Sequence, residues 1–183
     1  MSVLLIRHGQ TAGNLAHRYI GGRTDEPLCE EGIEALKNGH YPPVRRVLVS
    51  PMLRCRQTAA ILYPEIVPEV VPDLRECDFG RFEGKSCAEL NGDPAYQAWI
   101  DSGGALPFPE GEAREDFVAR CVRAFEGVSD LWREDTALIA HGGTLMAIMQ
   151  AYALPRRDYF DYQVKNGQGF RLFSDGSWEN LYF

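Results

Sequence analysis

Four runs of consecutive apolar residues divide the chain and predict buried β-strands. They are SVLLIR (2–7), RRVLVS (45–50), EIVPEVVPDL (65–74) and TALIAH (136–141). Apolar side chains follow one another in these runs instead of alternating with polar ones, so each strand is expected to be covered on both faces. Strands of this kind are typical of a mostly parallel sheet.

Segments with helical spacing lie between these strands. The pattern predicts helices over 30–39, 52–63 and 113–134, and a further helix over 145–153 after the sequence HGGT. The tail QGFRLFSDGSWE (168–179) predicts a hairpin around Asp175-Gly176, and residues 101–112 predict a long loop. Because strands alternate with helices, the expected fold class is α/β: a three-layer α/β/α sandwich. Its mostly parallel central sheet would gain an antiparallel edge from the C-terminal hairpin.

The chain length predicts a single domain, because 183 residues suffice for one substantial core. No apolar stretch is as long as a membrane span. The N-terminal sequence MSVLLIRHG has no basic lead and no cleavage site, so a cytoplasmic protein is expected. The final residues ENLYF match the start of a protease recognition sequence used in purification tags. We therefore expect the native domain to cover residues 1–178 and residues 179–183 to be a tag remnant.

Charge and cysteine content exclude several classes of function. The net charge is −7 and no run of lysines is present, so neither nucleic acid nor an anionic membrane is an expected partner. The five cysteines are an odd number without Cys-x-x-Cys pairs, which argues against a disulfide framework and a structural zinc site. An anionic substrate would have to be held by a local cluster of arginines.

The predicted strands end in charged or titratable residues. Arg7 and His8 end the first, Ser50 starts the sequence SPMLR after the second, and His141 ends the fourth before two glycines. Ligands of parallel α/β folds bind at the carboxyl ends of the strands, and helix N-termini attract anions. We therefore expect Arg54, in the first turns of the helix after Ser50, to join Arg7 at this edge.

Each of these residues alone has a plainer interpretation. A single His8 is compatible with a core histidine, and Arg54 alone is compatible with a solvated surface residue. Ser50 is expected to cap the following helix, with Pro51 at its first position. Two histidines among arginines, however, suit a phosphoryl group, since arginines would repel a metal cation. No metal and no cofactor are therefore expected.

Five sequence blocks carry a resemblance to a known family. RHGQTAGN (7–14), SPMLRCRQTA (50–59), LRECDFGRFEG (74–84), PFPEGE (107–112) and ALIAHGGTL (137–145) occur in the order seen in the histidine phosphatase superfamily. They resemble its phosphoglycerate-mutase-like branch over roughly residues 3–150. The resemblance implies the phosphoglycerate-mutase-like version of the predicted fold.

The resemblance also implies a covalent mechanism. His8 would attack phosphorus and become a phosphohistidine. The phosphoryl oxygens would be held by Arg7, Arg54 and His141, with Asn14 and the Gly142 N–H as secondary contacts. Glu76 would protonate the leaving oxygen and later activate water, and Glu83 is the alternative for this role.

Other blocks leave two interpretations open. The sequence RYIGGRTDEPL (18–28) resembles a substrate-side loop, so Arg18, Gly21, Gly22 and Arg23 are candidate substrate contacts, although a plain surface loop fits as well. Glu112 either ties its loop to the site or has a purely structural role.

Three functions are compatible with these residues: a phosphatase, a mutase and a non-catalytic binder of phosphorylated ligands. The interval from Glu76 to His141 is short and resembles small phosphatases, which favours hydrolysis. Both histidines, both arginines and Glu76 are present, which disfavours the binder. The expected partner is a small phosphorylated substrate. Similarity to α-ribazole phosphatases makes α-ribazole 5′-phosphate a candidate; the sequence predicts no oligomeric state.

Overall fold

A six-stranded mixed sheet organises the computed structural model, which describes residues 1–182. The strands are β1 (Ser2–Arg7), β2 (Arg46–Val49), β3 (Glu69–Val70), β4 (Thr136–Ala140), β5 (Gly169–Phe173) and β6 (Trp178–Leu181). Their order across the sheet is β3-β2-β4-β1-β5-β6. Strands β3, β2, β4 and β1 are parallel, whereas β5 and β6 form antiparallel pairs at the other edge. The expected parallel sheet with an antiparallel C-terminal edge is confirmed.

Seven α-helices of the described chain surround this sheet. They are α1 (Ala12–Leu15), α2 (Glu30–Asn38), α3 (Leu53–Leu62), α4 (Cys87–Leu90), α5 (Pro94–Asp101), α6 (Arg114–Glu126) and α7 (Gly142–Tyr152). Short 3₁₀ turns cover Pro72–Leu74, Gly80–Phe82 and Tyr159–Tyr162. No helix within residues 1–182 is long and apolar enough to cross a bilayer.

The two faces of the sheet bury separate hydrophobic clusters. In β1, Val3 and Leu5 pack with α6 and α7, whereas Leu4 and Ile6 pack with α3 on the opposite face. Successive side chains of a strand point to opposite faces, so an uninterrupted apolar strand needs a helical layer on each side. Each fully buried Leu or Ile contributes about 1.5–3 kcal/mol to this core. The expected three-layer sandwich is confirmed.

Strand register brings the functional ends together. Arg7 of β1 pairs with Ala140 of β4, and Val49 of β2 pairs with Ile139 of β4. The next residues along the three strands, His8, Ser50 and His141, therefore emerge at one edge of the sheet.

Some predicted elements have different limits in the structure. The helix expected over 113–134 is α6, which ends at Glu126, and the apolar residues beyond it pack from turns. The strand expected over 65–74 is only the two-residue β3, because prolines on either side cannot donate to a neighbouring strand. Helix α5 was not predicted, although Asp93 caps it and Pro94 occupies its first turn.

The expected domain end at residue 178 falls inside β6. Leu181 pairs with Gly169 and packs in the cluster beneath α3. That residues 179–183 come from a tag stays a prediction; residue 183 lies outside the described chain.

Candidate active site

His8 is buried at the carboxyl end of β1, with 3% of its surface exposed. Its Nδ1 lies 2.6 Å from the carbonyl oxygen of Gly9. Because that oxygen can only accept a hydrogen bond, Nδ1 carries the proton and the lone pair is on Nε2. Burial lowers the pKa of His8 well below its ordinary value, and the positive charges of Arg54 and Arg7 lower it further. His8 is therefore a neutral imidazole with an available nucleophilic nitrogen.

Two arginines beside His8 have unpaired donors. Arg54 is fully buried and donates from Nη1 to the Thr24 carbonyl at 2.7 Å and from Nη2 to the Gly21 carbonyl at 3.2 Å. Arg7 donates from Nη1 to the Val164 carbonyl at 2.8 Å. The Nε atoms of both arginines are buried without a hydrogen-bond partner within residues 1–182. Buried donors are rarely left unpaired, so these two point to an anionic ligand.

Glu76 presents a buried carboxylate to the start of α7. Its Oε1 accepts from the Cys77 N–H at 3.0 Å and its Oε2 accepts from the Gly143 N–H at 3.2 Å. Burial raises the pKa of Glu76, although these two hydrogen bonds and the nearby arginines act in the opposite direction. Glu76 therefore holds a proton at higher pH than a solvated glutamate does, as a general acid requires.

His141 stands across from His8, with ring centroids 5.2 Å apart. Its Nε2 lies 2.7 Å from the hydroxyl oxygen of Ser50, and the Cys55 thiol is 3.5 Å from the same nitrogen. Burial lowers the pKa of His141 well below its ordinary value, and the positive charge of Arg54 lowers it further. His141 is therefore neutral and able to donate one hydrogen bond from its ring.

The expected cap role of Ser50 is wrong. Helix α3 begins at Leu53, its N-cap is Met52, and no side chain caps it. Pro51 accordingly lies outside the helix. The Ser50 hydroxyl bonds to His141, 91 residues further along the chain, because β2 and β4 are neighbours in the sheet, and it also accepts from the Met52 N–H at 3.4 Å.

Asn14 lies at the edge of the site and is held by Asn166. The Oδ1 atom of Asn14 accepts from the Thr11 N–H at 3.2 Å and from Asn166 Nδ2 at 3.1 Å. Asn166 Nδ2 also lies 3.1 Å from the His8 carbonyl oxygen. Asn166 was not predicted from the sequence, since it lies outside every recognised block and reaches the site only through the loop before β5.

The expected substrate loop packs between Arg54 and the segment that carries Glu76. Gly21 accepts from Arg54, and Gly22 donates to the Cys77 carbonyl at 2.8 Å. A Cβ atom at Gly21 would lie only 2.3 Å from the Cys77 carbonyl oxygen, so this close approach requires glycine. Arg23 forms an ion pair with Asp78 at 2.7 Å. A substrate contact by Gly21, Gly22 or Arg23 stays a prediction.

The alternative acid, Glu83, is engaged in holding this loop. Its carboxylate accepts from the Gly21 N–H at 2.8 Å and from the Arg23 N–H at 2.6 Å. Glu76, in contrast, contacts the N-terminus of α7 directly after His141. The geometry favours Glu76 over Glu83 for proton transfer at the site.

A cleft of about 1120 Å³ opens beside Arg7 and Asn14. Its wall includes the side chains of Tyr19 and Tyr41 and the cationic Lys165. No aspartate or glutamate of the described chain lines this cleft, in contrast to the acidic composition of the protein. Within the same residues, no group of three or more His, Cys, Asp or Glu side chains is placed to hold a metal ion.

Comparison with known proteins finds relatives that are similar in sequence and in fold. An adenosylcobalamin/alpha-ribazole phosphatase of Salmonella typhimurium is 30% identical over 180 residues, which cover 91% of this chain and 87% of that protein. The alpha-ribazole phosphatase of Shigella flexneri has a TM-score of 0.82 at 25% identity, covering 100% of this chain and 95% of the other. A phosphoglycerate mutase of Thermus thermophilus has a TM-score of 0.78 at 28% identity, covering 100% and 99%. The profile of the histidine phosphatase superfamily (branch 1) matches residues 3–177. The chain therefore belongs to branch 1 of the histidine phosphatase superfamily.

Proposed function

We propose that the protein hydrolyses phosphomonoesters through a phosphohistidine at His8, without a metal ion. One observation carries this proposal: a neutral, buried His8 lies beside two arginines whose Nε donors are unpaired within the described chain. Nucleophile and anion-binding groups are thus side by side before any substrate arrives.

The reaction has two displacements at phosphorus. His8 Nε2 forms a bond to phosphorus while the bond to the ester oxygen breaks, and Glu76 gives its proton to that oxygen. The alcohol then leaves. Water attacks the phosphohistidine, its proton returns to Glu76, and the P–N bond breaks to release inorganic phosphate and neutral His8.

The other site residues stabilise charge on the phosphoryl oxygens. Arg7 and Arg54 supply permanently positive donors, and His141 supplies a neutral ring N–H. Asn14 and the backbone N–H of Gly142, at the start of α7, are the secondary contacts. A helix N-terminus favours the negative charge that develops in each transition state.

We infer that the substrate is a small phosphorylated metabolite, with α-ribazole 5′-phosphate as the candidate. The names of the Salmonella and Shigella relatives support this substrate. The cleft of about 1120 Å³ adjoins the site at Arg7 and Asn14 without being lined by His8 or Glu76, and its volume is large enough for a polar alcohol of nucleoside size. The net charge of −7 argues against nucleic acid and anionic membranes as partners and is compatible with a cytoplasmic enzyme.

A mutase is the second candidate, because the Thermus phosphoglycerate mutase matches the whole chain. In a mutase, the phosphoryl group of phospho-His8 returns to a bound phosphoglycerate instead of water. Hydrolysis is favoured here since the interval from Glu76 to His141 is short, as in small phosphatases.

The deciding experiment measures phosphate release from a panel of phosphomonoesters with a chelator present. The panel includes α-ribazole 5′-phosphate and 3-phosphoglycerate. We expect release by the wild type, none by His8→Ala, and full activity of His40→Ala, which replaces a histidine outside the site. Glu76→Gln should turn over slowly and still bind orthovanadate.

Two outcomes would contradict this assignment. Normal release by His8→Ala would exclude the phosphohistidine, and loss of activity on chelation would exclude the metal-independent reaction. Isomerisation of 3-phosphoglycerate without phosphate release would favour the mutase.

A further inference from the structure

Arg120 is a buried cation that the proposed reaction does not use. It lies on α6 with only 8% of its surface exposed. Its Nε and Nη2 atoms donate to the two carboxylate oxygens of Glu112, at 2.9 and 2.8 Å. Its Nη1 atom donates to two main-chain carbonyls, those of Asp73 at 2.7 Å and Arg75 at 3.0 Å. The guanidinium group therefore bonds on both of its edges.

Those contacts hold the segment that carries the general acid. Asp73 and Arg75 precede Glu76 closely in the chain. On the other side of Glu76, the Asp78 N–H donates to Glu112 Oε2 at 3.3 Å, and the Asp78 carbonyl accepts from the Glu112 N–H at 2.9 Å. Arg120 and Glu112 together fix the main chain both before and after the acid.

The position of the Glu76 carboxylate depends on that main chain. Within the described chain, its hydrogen bonds come from the backbone N–H groups of Cys77 and Gly143, and no side chain shares them. If residues 73–78 shift, the carboxylate shifts with them and loses its place against α7. A planar guanidinium group suits this task, because its donors leave in fixed directions, whereas a lysine ammonium group cannot bond both edges.

We propose that Arg120 is a positioning residue that acts through Glu112 and the 73–78 segment to hold Glu76 in its acid position. This inference rests on the proposed function and adds a residue outside the reacting groups. It has a specific consequence: the more a substrate depends on protonation of its leaving oxygen, the more activity a substitution of Arg120 should cost. An alkyl phosphate expels a basic alkoxide and needs that proton, whereas p-nitrophenyl phosphate expels a weakly basic phenolate and hardly needs it.

The test compares kcat/KM for these two esters in Arg120→Lys and in the milder Glu112→Gln. The parameter kcat/KM reports formation of phospho-His8, the step in which Glu76 acts as an acid. A displacement of about 1 Å in a reacting group can cost roughly 100-fold. We therefore expect Arg120→Lys to lower kcat/KM for the alkyl phosphate by about 10- to 100-fold, with little change for p-nitrophenyl phosphate. Thermal denaturation checks that each variant is folded.

Arg46→Lys is the matched control. Arg46 also joins a carboxylate, Glu69 at 2.6 Å, to a main-chain carbonyl, Ser129 at 2.7 Å, but it does so at the start of β2, away from the site. The Arg46→Lys variant should have the wild-type kcat/KM for both esters.

Coupling to Glu76 completes the test. In a Glu76→Gln background, Arg120→Lys should have no further effect on the alkyl phosphate, because the group that it positions is gone. Equal losses with both esters, or losses that add to those of Glu76→Gln, would reduce Arg120 to a structural role and overturn the proposal. If the wild type hydrolysed neither ester, the proposed function itself would fail, which is a distinguishable result.

Discussion

Replacing Gly143 with alanine tests whether the Glu76 carboxylate must lie against the start of α7. A Cβ atom at position 143 would lie 2.4 Å from Glu76 Oε1 and 3.0 Å from Phe117 Cε1. Non-bonded heavy atoms prefer about 3.5–4.0 Å, so one of these neighbours must move by roughly 1 Å. The Phe117 ring is buried in the core. The shorter contact is with Oε1, at the free end of a flexible side chain, so the larger displacement falls on the carboxylate.

This crowding sets the expected changes in activity and in stability. A shift of about 1 Å in a catalytic group can cost roughly 100-fold, and general acid catalysis supplies about 10²- to 10⁴-fold. We therefore expect Gly143→Ala to lower kcat/KM for an alkyl phosphate by about 100-fold. Gly143 has a helical backbone inside α7, where alanine alone would add about 0.4–1 kcal/mol of stability. That gain offsets part of the destabilisation that the crowding causes, so Gly143→Ala should still fold.

Gly142→Ala is the comparison variant for the same helix end. Its Cβ atom would meet Arg7 Cζ at 3.5 Å, an ordinary contact, and the backbone N–H would remain. Its loss of activity should be much smaller than that of Gly143→Ala, at a similar melting temperature. Steady-state kinetics with alkyl and aryl phosphates, together with thermal denaturation, measures both quantities. If Gly143→Ala hydrolysed the alkyl phosphate at the wild-type rate, the placement of Glu76 as the acid would be refuted.

Three further predictions concern the residues around His8. Orthovanadate at 100 times its Kd should raise the melting temperature by roughly 5–10 °C; Arg54→Gln should abolish this rise in thermal denaturation, because it removes a buried cation. Ser50→Ala leaves His141 Nε2 without its 2.7 Å partner and should cost about 1–3 kcal/mol of unfolding free energy in urea; an unchanged midpoint would contradict that bond. The pH profile of kcat/KM for an alkyl phosphate should rise as His8 loses its proton, at a pKa below the ordinary value, and fall as Glu76 ionises, at a pKa above its ordinary value. Glu76→Gln should remove the falling limb.

The sequence predicted the centre of the site because its residues sit at the ends of adjacent parallel strands. Arg7 and His8 follow the apolar run of β1 and His141 follows β4, and these strands pair in register. A continuous apolar run followed by such residues is a local pattern, so it can be read without knowing the fold. The same holds for Arg54, which is in the first turn of the helix after β2.

The supporting contacts could not be predicted in this way. Asn166 bonds to the His8 carbonyl across 158 residues, and Arg120 reaches the Asp73 carbonyl across 47. Such pairs depend on the path that the loops follow, and no local periodicity in the sequence predicts that path. Ser50 shows the same limit: its local bond, from the Met52 N–H at 3.4 Å, is longer than its 2.7 Å contact with the buried histidine on the neighbouring strand, which no local preference predicts.

The acidic composition and the proposed anionic ligand are compatible because the cations of the site are sheltered from solvent: Arg54 is fully buried and Arg7 is half-buried. A net charge of −7 acts through solvent, where salt screens it within about 10 Å. Arg7 and Arg54 act within the protein interior, where charges are screened much less, and they lower the pKa values of both His8 and His141 there. Burial is the main reason why the two imidazoles are neutral, and the positive charge of the arginines, which adds to that effect, would also attract the proposed phosphoryl group. In the proposed reaction, burial and this pair of arginines together account for nucleophile activation, and the arginines also account for anion binding.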